Sequence, residues 1–162
     1  MTTDVKTNER WNKSGLKEWT AVRAEIDLTG GNVADVFKVR GGPCRIIAMF
    51  LEITEAVANT ACNMSWILDS DTGGDRVIAD TVNIQAAALG DFFVAELDGT
   101  NLVKITTATG VPHGYFYPDS ATNGTIVTEG GIDVVLSATP ATGKGTLWVY
   151  YRPLVFNAAI AA

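Results

Sequence analysis

The sequence is poor in the residues from which most catalytic and metal sites are built. It contains one histidine, His113, and two cysteines, Cys44 and Cys62, among 162 residues. A Ser-His-Asp or Cys-His site would have to use His113, and its Val-Pro-His-Gly context indicates an exposed loop residue. The chain also lacks a Gly-x-Ser-x-Gly elbow and a Cys-x-x-Cys metal spacing. We therefore predict a non-enzyme with no catalytic residue, no cofactor and no metal.

The low cysteine content also disfavours a small scaffold held together by disulfides, which would carry more cysteines in a shorter chain. Cys44 and Cys62 both stand in apolar, strand-like runs. We interpret them as free buried thiols, although a disulfide between them stays open at this point.

Positive charge is scarce as well. The 12 Lys and Arg residues are outnumbered by 18 Asp and Glu residues, which gives a net charge of −6, and no basic run occurs. Because a nucleic-acid binder needs a basic face to neutralise phosphates, we predict no direct binding to nucleic acid or to an anionic membrane. The longest apolar run, near residues 46–51, is far shorter than the ~20 residues of a membrane helix. The N-terminus lacks an apolar signal core, so we expect a soluble protein made in the cytoplasm.

What the chain does contain is alternation of apolar and polar residues with period two. Hydrophobic residues make up 47% of the sequence and charged residues 19%, a balance that favours one folded domain. Eight to ten short strands are separated by turns of Gly, Asn, Asp and Pro. This spacing is typical of an all-β protein, an antiparallel sandwich or barrel.

Five local features carry more specific predictions. Residues 44–57 read as one long strand rather than a buried helix, because they are rich in β-branched residues and flanked by Gly-Pro and Asn. Asp-Gly-Thr at 98–100 predicts a hairpin, and Gly130-Gly131 predicts another between residues 125–129 and 132–138. Residues 86–89 suggest one helical turn, and the small apolar residues 157–162 are too short for an independent element.

Residues 1–18 are polar and mixed in charge, so we predict an extended N-terminal arm followed by a domain over residues 19–162. Trp11 is the informative residue, because a large aromatic on a polar arm can anchor in a partner's groove or pack back on its own domain. Arg10 and Lys13 flank it and are predicted to share any partner contact.

A second candidate contact lies in the long loop over residues 107–124, which contains Tyr115, Phe116 and Tyr117. Neighbouring residues of an extended chain point to opposite faces. At least one of the three rings should therefore be exposed or covered by a partner.

Two stretches of the sequence partly match the motifs of ligand-binding sites. Residues 138–146 look superficially like a phosphate-binding loop, but Ala138 and Gly145 occupy positions that the motif reserves for Gly and Ser or Thr, so a turn is predicted. Asp69, Asp71 and Asp75 partly follow a calcium loop, with Gly73 where Asp or Asn belongs. A polar hairpin turn is the better interpretation, and a weak calcium site stays open.

The C-terminal third resembles a known group. The residues that carry the resemblance are Leu136 and Ala138, the Thr142-Gly143 turn, Tyr151, Arg152 and Pro153-Leu154. Over roughly 125–155, and more weakly over 30–60, the chain is similar to capsid cement or decoration proteins of tailed bacteriophages. The resemblance implies a jelly-roll β-sandwich, a homotrimer, and a place on the capsid surface where it binds the major capsid protein and stabilises the head.

A second function stays open beside this one. A receptor- or glycan-binding β-sandwich on a phage fibre or head would fit the same composition. It would require an exposed aromatic cleft, with or without calcium at Asp69, Asp71 and Asp75.

Overall fold

The structure, a computed structural model, describes residues 10–11, 17–96, 101–105 and 124–162. Within these ranges the chain forms twelve β-strands and one short 3₁₀ turn at Leu28–Gly30, without an α-helix. No helix in this part of the chain could therefore span a membrane. The strands are β1 (Arg10–Trp11), β2 (Lys17–Asp27), β3 (Val33–Arg40), β4 (Cys44–Glu55), β5 (Asn63–Ser70), β6 (Arg76–Asn83), β7 (Phe92–Glu96), β8 (Asn101–Ile105), β9 (Thr125–Val127), β10 (Gly130–Leu136), β11 (Lys144–Pro153) and β12 (Ala159–Ala161).

The strands form two sheets in which every neighbouring pair is antiparallel. The larger sheet has the order β1-β2-β11-β4-β7-β8, with β9 also paired to the first residues of β4. The smaller sheet has the order β12-β3-β10-β5-β6. The two sheets are joined by one hydrophobic core, so the prediction of an all-β antiparallel sandwich is confirmed.

Pairing within the two sheets is nested along the sequence. β2 pairs with β11, β3 with β10, β4 with β7, and β5 with β6. The chain passes between the sheets at each of the steps from β2 to β5. The first and last long strands are therefore neighbours, although more than a hundred residues separate them in the sequence.

Alternation within the strands explains the core. In β11, Leu147, Val149 and Tyr151 are buried, whereas Trp148 and Tyr150 between them remain partly exposed. Period-two geometry turns one set inward and the other outward. The largest side chains that are fully buried in this core include Trp66, Phe37, Phe93, Met49 and Leu51.

Two of the five local predictions are confirmed. Residues 44–55 form the single long strand β4 rather than a helix. β7 and β8 pair as an antiparallel hairpin around the Asp-Gly-Thr segment, which itself lies outside the described residues.

The other local predictions need correction. Gly130-Gly131 does not form a turn: both glycines lie in β10, and β9 and β10 belong to different sheets. Gly130 permits close packing against the backbone of Asp69, and Gly131 lies against the Asp35 carboxylate. Local sequence does not distinguish such close packing from turn formation. Residues 86–89 do not form a helical turn. Two separate turns lie at residues 85–86 and 89–90, and Ala86 has a φ of 53°. The C-terminal residues form β12, which adds to the edge of β3.

The N-terminal segment contributes one described pairing. Arg10 lies opposite Trp19 and Trp11 opposite Lys17, so β1 extends the edge of the larger sheet beyond β2. Residues 1–9 and 12–16 of the predicted arm lie outside the described residues.

Candidate partner-binding surface

The structure describes only two of the predicted contact residues. Arg10 and Trp11 lie in β1, at the edge of the larger sheet. Lys13, Tyr115, Phe116 and Tyr117 lie outside the described residues, as does His113. The predicted contacts of these residues stay predictions.

A surface that the sequence interpretation missed lies on the outer face of the larger sheet. β11 occupies the middle of this sheet, between β2 and β4. Its strand register places Trp148 opposite Arg23 on one side and opposite Phe50 on the other. Tyr150 lies opposite Ala21 and Ala48 in the next outward-facing row.

The rings of this outer face are in contact across four strands, β2, β11, β4 and β7. Phe50 stacks with Trp148 at a centroid separation of 5.9 Å and with Tyr150 at 6.2 Å. Trp19 and Phe92 extend the cluster, at 6.1 Å from Tyr150 and from Phe50 respectively. Phe50 at the centre is 7% exposed, and the rings around it are partly exposed. We refer to these five residues as the aromatic face.

Charge is distributed unequally around the aromatic face. The Arg23 guanidinium lies over the Trp148 ring, with its carbon 5.3 Å from the centroid. Towards one end of the sheet, Thr146 is flanked by Glu25 and Glu52. Towards the other end, Arg152 lies opposite Arg45. The face is therefore acidic at one margin and basic at the other.

Burial affects two polar groups of the aromatic face, the Trp148 indole N–H and the Tyr150 hydroxyl. The indole nitrogen Nε1 of Trp148 is buried and has no hydrogen-bond partner among the residues that the structure describes. Burial also raises the pKa of the Tyr150 hydroxyl above its usual value. The partly exposed rings of the aromatic face suit a partner that brings apolar contacts. The arrangement can bind a partner surface.

A second cluster of charged groups lies on the smaller sheet. Asp69 has a pKa raised above the usual value, chiefly by the negative charge of Asp75 and then by partial burial and by Asp133 and Asp35. The Asp133 carboxylate accepts a hydrogen bond from the Asp35 backbone N–H at 2.7 Å, and Lys38 pairs with Asp35 at 2.9 Å. Among the described side chains, no three His, Cys, Asp or Glu residues are placed to hold a metal ion.

The remaining motifs have structural roles. Cys44 and Cys62 are buried free thiols, as predicted, and burial raises the pKa of Cys44 to about 12. The Cys62 thiol donates to the Ala138 carbonyl at 3.3 Å. The loop that imitates a phosphate site leads into strand β11, and the Gly143 carbonyl accepts from the Leu28 N–H.

One sequence signal could have revealed the aromatic face. The run Thr-Leu-Trp-Val-Tyr-Tyr in β11 is apolar at every position after the threonine, not only at alternate positions. A strand with one solvated face is expected to alternate, so such a run indicates that both faces are in contact with apolar material. The other rings come from distant strands, and nothing local connects them to β11.

The fold and this surface define the class as an antiparallel β-sandwich with an aromatic outer face. No protein-family profile matches the chain, and no curated protein matches it. Among solved structures, it is similar to a chain of the acidic stable capsid structure of Helicobacter pylori bacteriophage KHP30. The similarity covers 97% of this chain and 98% of that chain, with a TM-score of 0.46 and 12% identity. A likeness at this level supports no statement about function.

Proposed function

We propose that this chain is a structural virion protein that binds the major capsid protein of a tailed phage and stabilises the head. The observation that carries the proposal is the aromatic face, a broad and partly exposed set of stacked rings beside Arg23. Aromatic residues and arginine are enriched in protein interfaces. A sheet face of this kind matches an extended protein surface better than it matches a small molecule, which would require a concave site.

The sequence resemblance to capsid cement or decoration proteins is a second support for the proposal. The residues that carry it, roughly 125–155, form β9, β10 and β11. β10 is the middle strand of the smaller sheet, and β11 lies between β2 and β4 in the larger sheet. The resemblance therefore involves residues at the centre of both layers.

The connectivity adds a third argument. The nested pairs β2–β11, β3–β10, β4–β7 and β5–β6 correspond to a long hairpin rolled into two sheets. We infer that the chain is wound as a jelly roll, a topology that occurs in viral capsid proteins. The eight paired strands then form a rigid platform from which the edge strand β1 and the connecting loops can reach neighbouring subunits.

The binding of a protein to a capsid shell is strengthened when the same contact is repeated by symmetry. Many weak contacts repeated by symmetry bind far more tightly than any one of them, because each contact raises the effective concentration of the next. The proposal therefore includes a homotrimer placed where capsid subunits meet, as the resemblance implies.

The test uses shells assembled from the major capsid protein that is encoded together with this chain. Purified protein is added to shells that lack it, and binding is measured by cosedimentation and shell melting by calorimetry. We expect saturable binding and a higher shell melting temperature. An aromatic-face variant, Trp148→Ala, should bind more weakly, whereas Val77→Ala, at an exposed apolar position in β6, should bind normally. Shells that neither bind the protein nor gain stability would contradict the proposal.

The glycan-binding alternative makes a different prediction for the same protein. Partly exposed rings can stack on sugars as well as on proteins, and Trp148 and Tyr150 supply such rings. A glycan array with and without calcium separates the two functions. Specific glycan binding by a protein that does not bind capsid shells would favour the glycan-binding alternative.

A further inference from the structure

The connection between β11 and β12 carries the most exposed large apolar side chain in the described part of the protein. Phe156 is 82% exposed, and the neighbouring Val155 is 42% exposed. A single exposed apolar residue is common on protein surfaces, but two adjacent ones at the tip of a turn form a protruding apolar knob. We call residues 154–158 the Phe156 turn.

The Phe156 turn is held against a second turn that contains Gly41 and Gly42. Both glycines have positive φ values, 72° and 125°. A side chain at Gly41 would collide with the Asn157 carbonyl, and one at Gly42 would collide with the Val155 side chain. The two turns therefore pack against each other with no room for a further methyl group.

Hydrogen bonds and core contacts fix the same segment. The Leu154 N–H donates to the Pro43 carbonyl at 3.1 Å, and the Ala158 N–H donates to the Val155 carbonyl at 3.2 Å. Ala158, the last residue of the turn, and Ile160 in β12 are buried in the core. Phe156 is thus presented by a backbone that is already ordered, which reduces the entropy lost when a partner binds.

Positive charge flanks the knob in a protein whose net charge is −6. Arg152 precedes Phe156 by four residues, and Arg40 lies opposite Ala159 in the pairing of β3 with β12. No described carboxylate forms an ion pair with Arg40 or Arg152. The opposite end of the larger sheet carries Glu55, which forms an ion pair with Lys144. The Phe156 turn therefore combines an apolar tip with arginines at its base.

We propose that Phe156 inserts into an apolar pocket edged by carboxylates on a subunit of the capsid shell. This inference rests on the proposed function and identifies a part of the molecule that faces the shell. The apolar tip requires a pocket, and the flanking arginines require acidic groups around it. Aromatic residues, phenylalanine included, and arginine are also enriched in protein interfaces.

The test compares variants in the cosedimentation assay with shells of the major capsid protein. We expect Phe156→Ala to weaken binding at least about tenfold, in line with truncation of a central aromatic anchor. Arg152→Gln should weaken binding less and reduce its dependence on salt, because one attraction across the interface is lost. Leu89→Ala is the matched control, because Leu89 is also exposed, at 65%, but lies on a different connection.

Each variant is also checked by thermal melting and by light scattering for its mass. Because Phe156 is exposed, Phe156→Ala should melt within a few degrees of the parent protein. If the parent protein binds shells and Phe156→Ala binds equally well, the inference is wrong and the proposed function stands. If the parent protein itself does not bind, both are contradicted. A change of oligomeric mass in Phe156→Ala would assign the knob to a second copy of this chain and overturn the shell assignment.

Discussion

Gly130 packs directly against the backbone of Asp69, in register with Ser70 across the β5–β10 pair. A side chain at position 130 would collide with the Asp69 carbonyl, and the φ of 149° disfavours any residue with a Cβ. The glycine thus permits the close approach of two central strands of the smaller sheet.

We predict that Gly130→Ala lowers the free energy of unfolding by more than about 2 kcal/mol, because it combines a steric clash with backbone strain. Urea denaturation followed by tryptophan fluorescence measures the change. Gly74→Ala provides the control, since a Cβ at Gly74 meets no atom within 4 Å. Equal stabilities of the two variants would show that β5 and β10 can separate without cost at this point.

Asp27 should stabilise the protein at neutral pH and lose this effect in acid. Its carboxylate accepts hydrogen bonds from the Thr29 hydroxyl at 2.6 Å and from the Thr29 N–H at 2.9 Å, and these bonds lower its pKa. Since the folded-state pKa lies below the unfolded value, the stabilisation is present above about pH 4 and disappears as the pH falls through the folded value. Asp27→Ala should therefore lower the melting temperature at pH 7, and this effect should shrink as the pH is lowered below about 4.

The control for this experiment is Asp71→Ala, which removes an exposed aspartate from the turn between β5 and β6. We expect it to change the melting temperature less than Asp27→Ala at pH 7. A constant difference between Asp27→Ala and the parent protein at all pH values would mean that ionisation of Asp27 does not matter.

The ionisation of Asp69 should affect stability in the opposite direction to that of Asp27. Asp75 first, then burial and Asp133, raise its pKa, so the folded state holds the Asp69 proton more tightly than the unfolded state does. Ionisation of Asp69 therefore destabilises the fold as the pH rises through and above its unfolded value. We expect Asp69→Asn to raise the melting temperature at pH 7, with a gain that shrinks towards pH 3 and in high salt. A lower melting temperature at pH 7 would contradict this interpretation.

Cys44 should resist alkylation in the folded protein. The thiol is buried, and a pKa of about 12 leaves almost no thiolate at pH 8. Iodoacetamide at pH 8, followed by peptide mass spectrometry, should leave Cys44 unmodified in native protein and modify it fully in urea. Rapid labelling of native Cys44 would show that β4 opens near its first residue. A disulfide between Cys44 and Cys62 would appear as protection that persists in urea and is lost on reduction.

The glycine pair in β10 shows where local interpretation of the sequence fails. Gly130-Gly131 between two apolar runs has the composition of a hairpin turn, yet the flanking strands β9 and β10 belong to different sheets. A glycine that permits a turn and a glycine that permits close strand packing have the same local context. The opposite strand at Asp69 is about 60 residues away in the sequence, so no local pattern could decide between them.

The aromatic face was missed for a related reason. Trp19, Phe50, Trp148 and Tyr150 occur in three separate strands, and only the sheet order β2-β11-β4 brings them together. The aromatic residues predicted from the sequence to form a contact, Tyr115 to Tyr117, are adjacent in the chain and lie outside the described residues. Adjacency in the sequence indicates a surface only where neighbouring residues share a face, and in a strand they do not.

That this chain is built from strands follows from its residue pattern alone. Period-two alternation and regular turn residues are local properties, and they correctly predicted the all-β class, the long strand β4 and the buried thiols. Which strands are neighbours depends on the fold of the whole domain. The placement of β11 between β2 and β4, which sets Trp148 beside Arg23 and Phe50, is an example. Strand pairing depends on packing between residues far apart in the sequence, and each strand's local pattern is compatible with many partners.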